Sequence, residues 1–218
     1  MGGSVERGGD RALPVTRGQL DIWLAQQAGH FDAAWQLGVL VRIDGAIDPR
    51  LLHQAMRHVV NEAESLRASF FEADGQVFQK AVDYDDVDLV FYDLTESPDP
   101  EREVRETAAS IQRTPMPLTG PMIKFALFRT GPDEYYWFTV CHHIAIDGMG
   151  IALTGRRIAA VYSALAAGKP VPPPSSAPCM TSSAASWNTR GPPNSVKIKS
   201  IGSRTAPRAA GRTIRHRR

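Results

Sequence analysis

The chain reads as an α/β fold, an α+β sandwich, followed by a tail of a different kind. Three observations predict this. Stretches with apolar residues at helical spacing alternate with short aromatic and β-branched runs. Two Asp-Pro steps, Asp48-Pro49 and Asp99-Pro100, mark helix starts, with Asp as N-cap and Pro at the first helical position. Beyond Pro170 both periodicities stop.

The elements follow in order. Thr16 caps a helix that runs to about Gln27, with Leu20, Trp23 and Leu24 on one face. Trp35 to Ile43 reads as a strand, and Asp44-Gly45 as a turn. The helix opened by Asp48-Pro49 continues to about Ala63, and Leu51, Leu52, Ala55, Met56, Val59 and Val60 form its apolar stripe. Three short strands follow near residues 66–72, 76–82 and 88–92, the first two joined by the tight-turn sequence Ala73-Asp74-Gly75. The helix opened by Asp99-Pro100 runs to about Arg113, and Pro115 and Pro117 end it. Strands over residues 121–130 and 134–141 are joined by Thr130-Gly131-Pro132-Asp133. A last helix runs from about Asp147 to Ala167, stopped by Gly168. The order α, β, α, β, β, β, α, β, β, α contains no internal repeat, and the helices are expected on one side of the strands.

The net charge of +2 conceals a polarised chain. Residues 1–168 carry 15 Lys and Arg against 23 Asp and Glu, a net of −8, whereas residues 169–218 carry ten basic residues and no acid. Pro170-Val171-Pro172-Pro173-Pro174 reads as a polyproline-like linker. The Ser-, Pro- and Arg-rich residues after it have too little apolar content to offset ordering entropy, so disorder is expected over 171–218. A GC-rich coding region read out of frame yields such a tail, and a frameshift near codons 172–176 is its expected origin. The Arg215-His216-Arg217-Arg218 end has no aromatic interleaving, so it implies non-specific attraction to nucleic acid and no specific recognition.

Cys141 and Cys179 fall one in each of these unlike regions, which argues against a disulfide framework and for a reducing, cytoplasmic setting. No apolar run approaches the roughly 18 residues that span a bilayer, so no membrane partner is expected. Met1 to Arg11 is Gly-rich and charged and has no apolar h-region, so residues 1–12 read as a disordered lead-in and not as a secretory signal.

The stretch that carries chemistry is His142-His143-Ile144-Ala145-Ile146-Asp147-Gly148. It follows the aromatic and β-branched run Tyr135 to Val140 and precedes the helical run Gly148 to Leu165. Two imidazoles therefore arrive at a strand end, followed by an acid at a helix start. Histidine suits proton transfer because its ordinary pKa lies near neutrality. A metal reading is disfavoured, because adjacent residues on an extended chain point to opposite sides and a catalytic zinc needs three converging ligands. No HExxH or similar third partner is present. His30, His53 and His58 have no partner pattern and read as solvated or core residues.

This HHxxxDG stretch resembles the active-site signature of nonribosomal peptide synthetase condensation domains, relatives of chloramphenicol acetyltransferase. Two further segments carry the resemblance. Residues Leu13 to Trp23 are similar to the family's opening motif, with Gln19 and Trp23 four apart. Residues Glu64-Ser65-Leu66-Arg67-Ala68-Ser69-Phe70 are similar to its second motif, RHExLRTxF, although Glu62 stands in place of the motif's Arg and Ala63 in place of its His. The resemblance covers residues 13 to 172, and it implies one lobe of a two-lobed chloramphenicol acetyltransferase-like fold over residues 13–170.

The resemblance also implies roles. His143 is the catalytic residue of an acyltransferase that joins an upstream acyl thioester to a downstream amine. It either takes the amine's proton or stabilises the tetrahedral intermediate. His142 is structural and holds the loop through its ring. Asp147 accepts amide hydrogen bonds at the helix start and ion-pairs with an arginine, with Arg67 the expected partner. Gly148 gives the acyl carbonyl room and an N–H, or is only a permissive turn residue. Gln19 and Trp23 pack and anchor the loop. The lobe binds no cofactor or metal itself; phosphopantetheine arms arrive on partner carrier domains, and a second condensation lobe is a further expected partner. An ester-forming, polyketide-associated acyltransferase is the alternative within the enzyme class, and a catalytically inactive fragment or one-lobe binding protein the alternative outside it. The chain by itself is expected to show little or no activity, because one lobe leaves His143 open to water.

Overall fold

The computed structural model describes residues 12–29, 32–83, 87–174 and 199–200, with Asp32 and the last pair described by backbone alone. The lead-in, His30, Cys179, the Arg-rich end and nearly all of the tail lie outside these residues, and with them the expectations made for those segments.

Elements follow the chain as β1 (Leu13–Pro14), α1 (Arg17–Gln27), β2 (Gln36–Asp44), α2 (Pro49–Glu62), β3 (Ala68–Ala73), β4 (Gln76–Ala81), β5 (Leu89–Asp93), α3 (Pro100–Arg113), β6 (Ile123–Gly131), β7 (Glu134–His142), α4 (Gly148–Ala166) and β8 (Lys199–Ser200). Short 3-10 turns occupy Asp32–Trp35 and Glu64–Arg67. Both Asp-Pro helix starts form. Asp48 accepts from the amides of Arg50 and Leu51, and Asp99 from that of Arg102.

A five-stranded sheet of order β5-β6-β7-β2-β8 forms the body. β5 runs parallel to β6, and the other pairs are antiparallel. Alternation along β6 and β7 sorts their side chains onto two faces. Ile123, Phe125, Leu127, Tyr135, Trp137 and Cys141 pack with α2 and α4 residues such as Met56, Val60, Ile151 and Ile158. Ala126, Phe128, Tyr136, Phe138 and Val140 pack with Val104 and Ala108 of α3. The helices therefore cover both faces of the main sheet, not one side as the element order suggested. Every residue of β7 after Glu134 is buried, which both covers require.

Two local readings, of residues 66–72 and of Leu24, are corrected. Residues 66–72 are not all strand: a 3-10 turn drops Leu66, fully buried, into the core beneath α2, and the strand begins only at Ala68. The β3–β4 hairpin does not join the main sheet; with β1 it forms a separate sheet of order β1-β4-β3. Its turn places Asp74 and Gly75 both at positive φ, the geometry that Asp-Gly favours. Leu24 does not share the buried face of α1 with Trp23, being 55 % exposed against 8 %. In the tail, Lys199–Ser200 lies antiparallel to Val41 and Arg42 at the β2 edge.

The two helices on one face are clipped together. Arg157 of α4 holds Glu62 at the end of α2 through two hydrogen bonds, 2.8 and 2.6 Å. Glu62 stands where the second motif has Arg, so the acid has a structural use here. The Arg157 guanidinium, with lesser help from His58, holds the Glu62 carboxyl below its usual range. A depressed carboxylate adds stability that is present above its ordinary pKa and lost as pH falls through the folded value. Glu62→Gln is therefore expected to lower unfolding free energy by about 1 kcal/mol at neutral pH, with the deficit shrinking as pH falls below 4.5. Denaturant titrations at several pH values check this; a deficit independent of pH contradicts it.

Candidate active site

The site is built where β7 ends. The last β2–β7 pair is Gln36↔His142, so the strand order is spent as the two histidines begin. His142 donates its backbone N–H to the Met122 carbonyl at 3.0 Å, and His143 donates its own to the Trp35 carbonyl at 2.6 Å. Both neighbours of β7 therefore hold the loop by its backbone. A tight turn closes it, with the Ala145 amide on the His142 carbonyl at 3.1 Å, and Asp147 opens α4.

The rings of the two histidines differ in surroundings and in tautomer. His142 is completely buried. Its Nδ1 accepts from the Ile144 amide at 3.2 Å, so the proton sits on Nε2, which faces Gln26 Oε1 at 3.1 Å. His143 is half-buried and lines an open cleft of about 590 Å³ between α1 and the loop, with Thr16, Gln19 and Ile22 on the helix side and residues 143–147 on the other. Its Nδ1 lies 3.1 Å from the Ile146 carbonyl oxygen. A carbonyl only accepts, so Nδ1 carries the proton and donates. Nε2 is left with its lone pair, in the form a proton acceptor needs.

α1 supplies the opposite wall and steadies the loop. Thr16 and Gln19 form a capping box: the Thr16 hydroxyl accepts from the Gln19 amide, and the Gln19 side chain accepts from the Thr16 amide. The same carboxamide donates to the Ile144 carbonyl and pairs with Gln79 of β4, both at 3.1 Å. Trp23, one turn on, packs in a cluster with Ile144, Met122 and Phe70. Gln26 then reaches His142. These three positions, i, i+4 and i+7, share one helix face. Gln26 was not anticipated, although its spacing from Gln19 and Trp23 carried that signal.

Asp147 and Arg67 are not brought together. Asp147 is exposed, and its carboxylate accepts from the Gly150 amide at 2.7 Å as the N-cap of α4. Arg67 instead bonds the Val82 carbonyl at 3.1 Å and pairs with Asp83 at 2.7 Å, beside the β3–β4 sheet. The expected ion pair is thus replaced by two local contacts, because each group finds a nearer partner in its own segment. Gly148 is exposed, and a Cβ built there meets nothing within 4 Å. Its amide and that of Met149 head a 19-residue helix beside His143, where the helix dipole favours developing negative charge.

Other titratable groups have ordinary structural uses. His53 bonds the Val87 carbonyl, and His58 pairs with Glu62. Cys141 is a buried free thiol that desolvation pushes well up from its ordinary pKa. Among the described residues, no three His, Cys, Asp or Glu side chains group as metal ligands would, and no helix is long and apolar enough to cross a membrane.

The cap reading of Asp147 separates cleanly from the ion-pair reading. Asp147→Ala is expected to cost about 1 kcal/mol, while Asp147→Asn, which keeps the acceptor, costs only a few tenths. A double-mutant cycle with Arg67→Ala should give no coupling beyond about 0.5 kcal/mol. Coupling of 1 kcal/mol or more in denaturant unfolding would restore the ion pair.

Comparison with known proteins identifies the family and the fold. The family model described as the condensation domain matches residues 10–190, past the Pro-rich stretch at 170–174. The chain is 35 % identical over 161 residues to a dimodular nonribosomal peptide synthase of Bacillus subtilis, covering 73 % of this chain and 7 % of that one. It is 35 % identical over 160 residues to an isonitrile lipopeptide synthase of Streptomyces coeruleorubidus, covering 72 % and 11 %. Its fold matches the starter condensation domain of rhizomide synthetase with a TM-score of 0.71 at 30 % identity, over 74 % of this chain and 40 % of that one. The first condensation domain of the CDA synthetase gives 0.72 at 31 %, over 76 % and 43 %. The chain thus spans a small part of these synthetases and well under half of the solved condensation-domain chains. With family model, relatives and fold in agreement, this chain belongs to the condensation-domain family of nonribosomal peptide synthetases.

Proposed function

We propose that the described residues are one lobe of a catalyst that forms amide bonds between carrier-bound substrates. The observation that carries this reading is the His143 ring: the residue lines the cleft and its Nδ1–H is tied to the Ile146 carbonyl, so that in the neutral ring Nε2 keeps its lone pair. That arrangement suits taking a proton from an attacking amine. The amine nitrogen bonds to the acyl carbon of the donor thioester as His143 Nε2 accepts its proton. The carbonyl oxygen gains negative charge beside the first amides of α4. The C–S bond then breaks, and the departing phosphopantetheine thiolate takes a proton, leaving His143 neutral again. Both substrates ride on phosphopantetheine arms of partner carrier domains, which supply the thioesters. The named relatives are peptide synthases, which favours an amine over an alcohol acceptor.

A second lobe provides the other wall of the reaction channel. Met149 and Leu153, four apart on α4 and 58 % and 46 % exposed, flank the His loop and suit such a cover. Without it, water screens the site and hydrolysis competes.

An assay with loaded donor and acceptor carriers tests both parts. With this chain assembled with a second condensation lobe, His143→Ala should reduce amide formation by roughly 10²–10⁴-fold. Undiminished turnover contradicts the role of His143. The 218-residue chain alone should form little product, and full turnover from it contradicts the need for a second wall.

A further inference from the structure

Gly150 lies in the first turn of α4, three residues past the cap. A glycine inside a helix is ordinarily a weakness, since alanine would serve better. Here the missing side chain is occupied space. A Cβ at 150 would fall 2.5 Å from Ile146 Cγ1, 3.1 Å from Ile146 Cδ1 and 3.3 Å from Asp147 Oδ1. Ile146 therefore lies directly over the bare backbone of Gly150. The other glycines of the helix differ: Gly148 has no neighbour within 4 Å of a built Cβ, and Gly155 has only Trp137 at 4.0 Å.

Ile146 cannot step aside freely. It is β-branched and stiff at χ1, and it packs against the core that α2 and α4 share. A methyl group at 150 would push on a side chain braced from behind, and the push would pass to the Ile146 backbone. That backbone carries the carbonyl that accepts from His143 Nδ1. The same methyl would crowd the Asp147 oxygen that caps the helix.

We infer that Gly150 is a positioning residue for His143: its lack of a side chain seats Ile146, and the seated Ile146 carbonyl holds the imidazole as the Nδ1–H tautomer. This rests on the proton-acceptor reading of His143. In a free histidine side chain the Nε2–H form is the commoner tautomer, so the Nδ1–H form needs such a hold. The inference explains why the stretch after HHxxxDG reads Met149-Gly150 and not a residue of higher helix propensity.

Nitrogen-15 NMR of the histidine rings reads this without any substrate. The His143 signals are assigned by their loss in His143→Gln. The wild-type chain should show Nδ1 protonated and Nε2 unprotonated for His143 at a pH where the ring is neutral. Gly150→Ala should shift His143 toward a mixture containing the Nε2–H form and lower the unfolding midpoint, the reverse of a usual Gly→Ala change in a helix. Gly155→Ala should leave the His143 signals unchanged. Adding Ile146→Ala to Gly150→Ala removes the obstructing atoms but keeps the carbonyl, and should restore the Nδ1–H pattern. An unaltered tautomer in Gly150→Ala overturns the inference while leaving the role of His143 intact. A wild-type Nε2–H tautomer overturns both. If Gly150→Ala fails to fold, the double variant decides: folded with the Nδ1–H pattern supports the inference, and unfolded overturns it.

Discussion

Strand β7 is the constraint on which the rest of the structure depends. It pairs with β2 on one side and β6 on the other, and helices cover both of its faces. A strand so enclosed must be largely apolar on both faces, and Tyr135 to Cys141 meets that demand with aromatics, Val140 and Cys141, Thr139 being its one aliphatic hydroxyl. Because β7 cannot shift, its C-terminal end is a fixed point. The histidines are placed there, and the Met122 and Trp35 carbonyls extend the hold by one residue on either side.

From that fixed point the site follows by local chemistry. The alternation of a strand sends one ring inward and the next outward, which gives two adjacent histidines different uses. His142 spends both ring nitrogens on the Ile144 amide and Gln26, and so closes the loop against α1. His143 bonds the Ile146 carbonyl through Nδ1 and lines the cleft. The loop is steadied from α1 by Gln19, whose carboxamide touches the helix cap, the small sheet and the Ile144 carbonyl at once. One helix face thus does for the loop what a second strand would do for a longer segment.

Much of this was legible in the residues. The Asp-Pro helix starts and the Asp-Gly turn are local events, decided by N-cap chemistry and backbone preference, and they formed as read. The HHxxxDG stretch was legible because its spacing is set by one turn between a strand end and a helix cap. What was not legible depended on partners distant in the chain. The two residues of β1 have no periodicity to detect, yet they find β4. Leu66 reads as a strand residue but answers to the core beneath α2. The expected Arg67–Asp147 pair failed because each side chain had a competitor within its own segment, Asp83 for one and the Gly150 amide for the other. The Ile146 carbonyl left no trace at all, since a backbone acceptor has no side-chain signature.

The most direct test of the fixed end of β7 is amide hydrogen exchange at His142 and His143. Their N–H groups bond to carbonyls outside the β7 ladder, and every residue of β7 after Glu134 is buried. Both amides should exchange only with opening of the sheet, at protection close to that of Phe138 and Val140. Exchange at the rate of an exposed loop, with Phe138 and Val140 still protected, would mean that the histidines are not anchored by the strand, and the account of the site would fail with it.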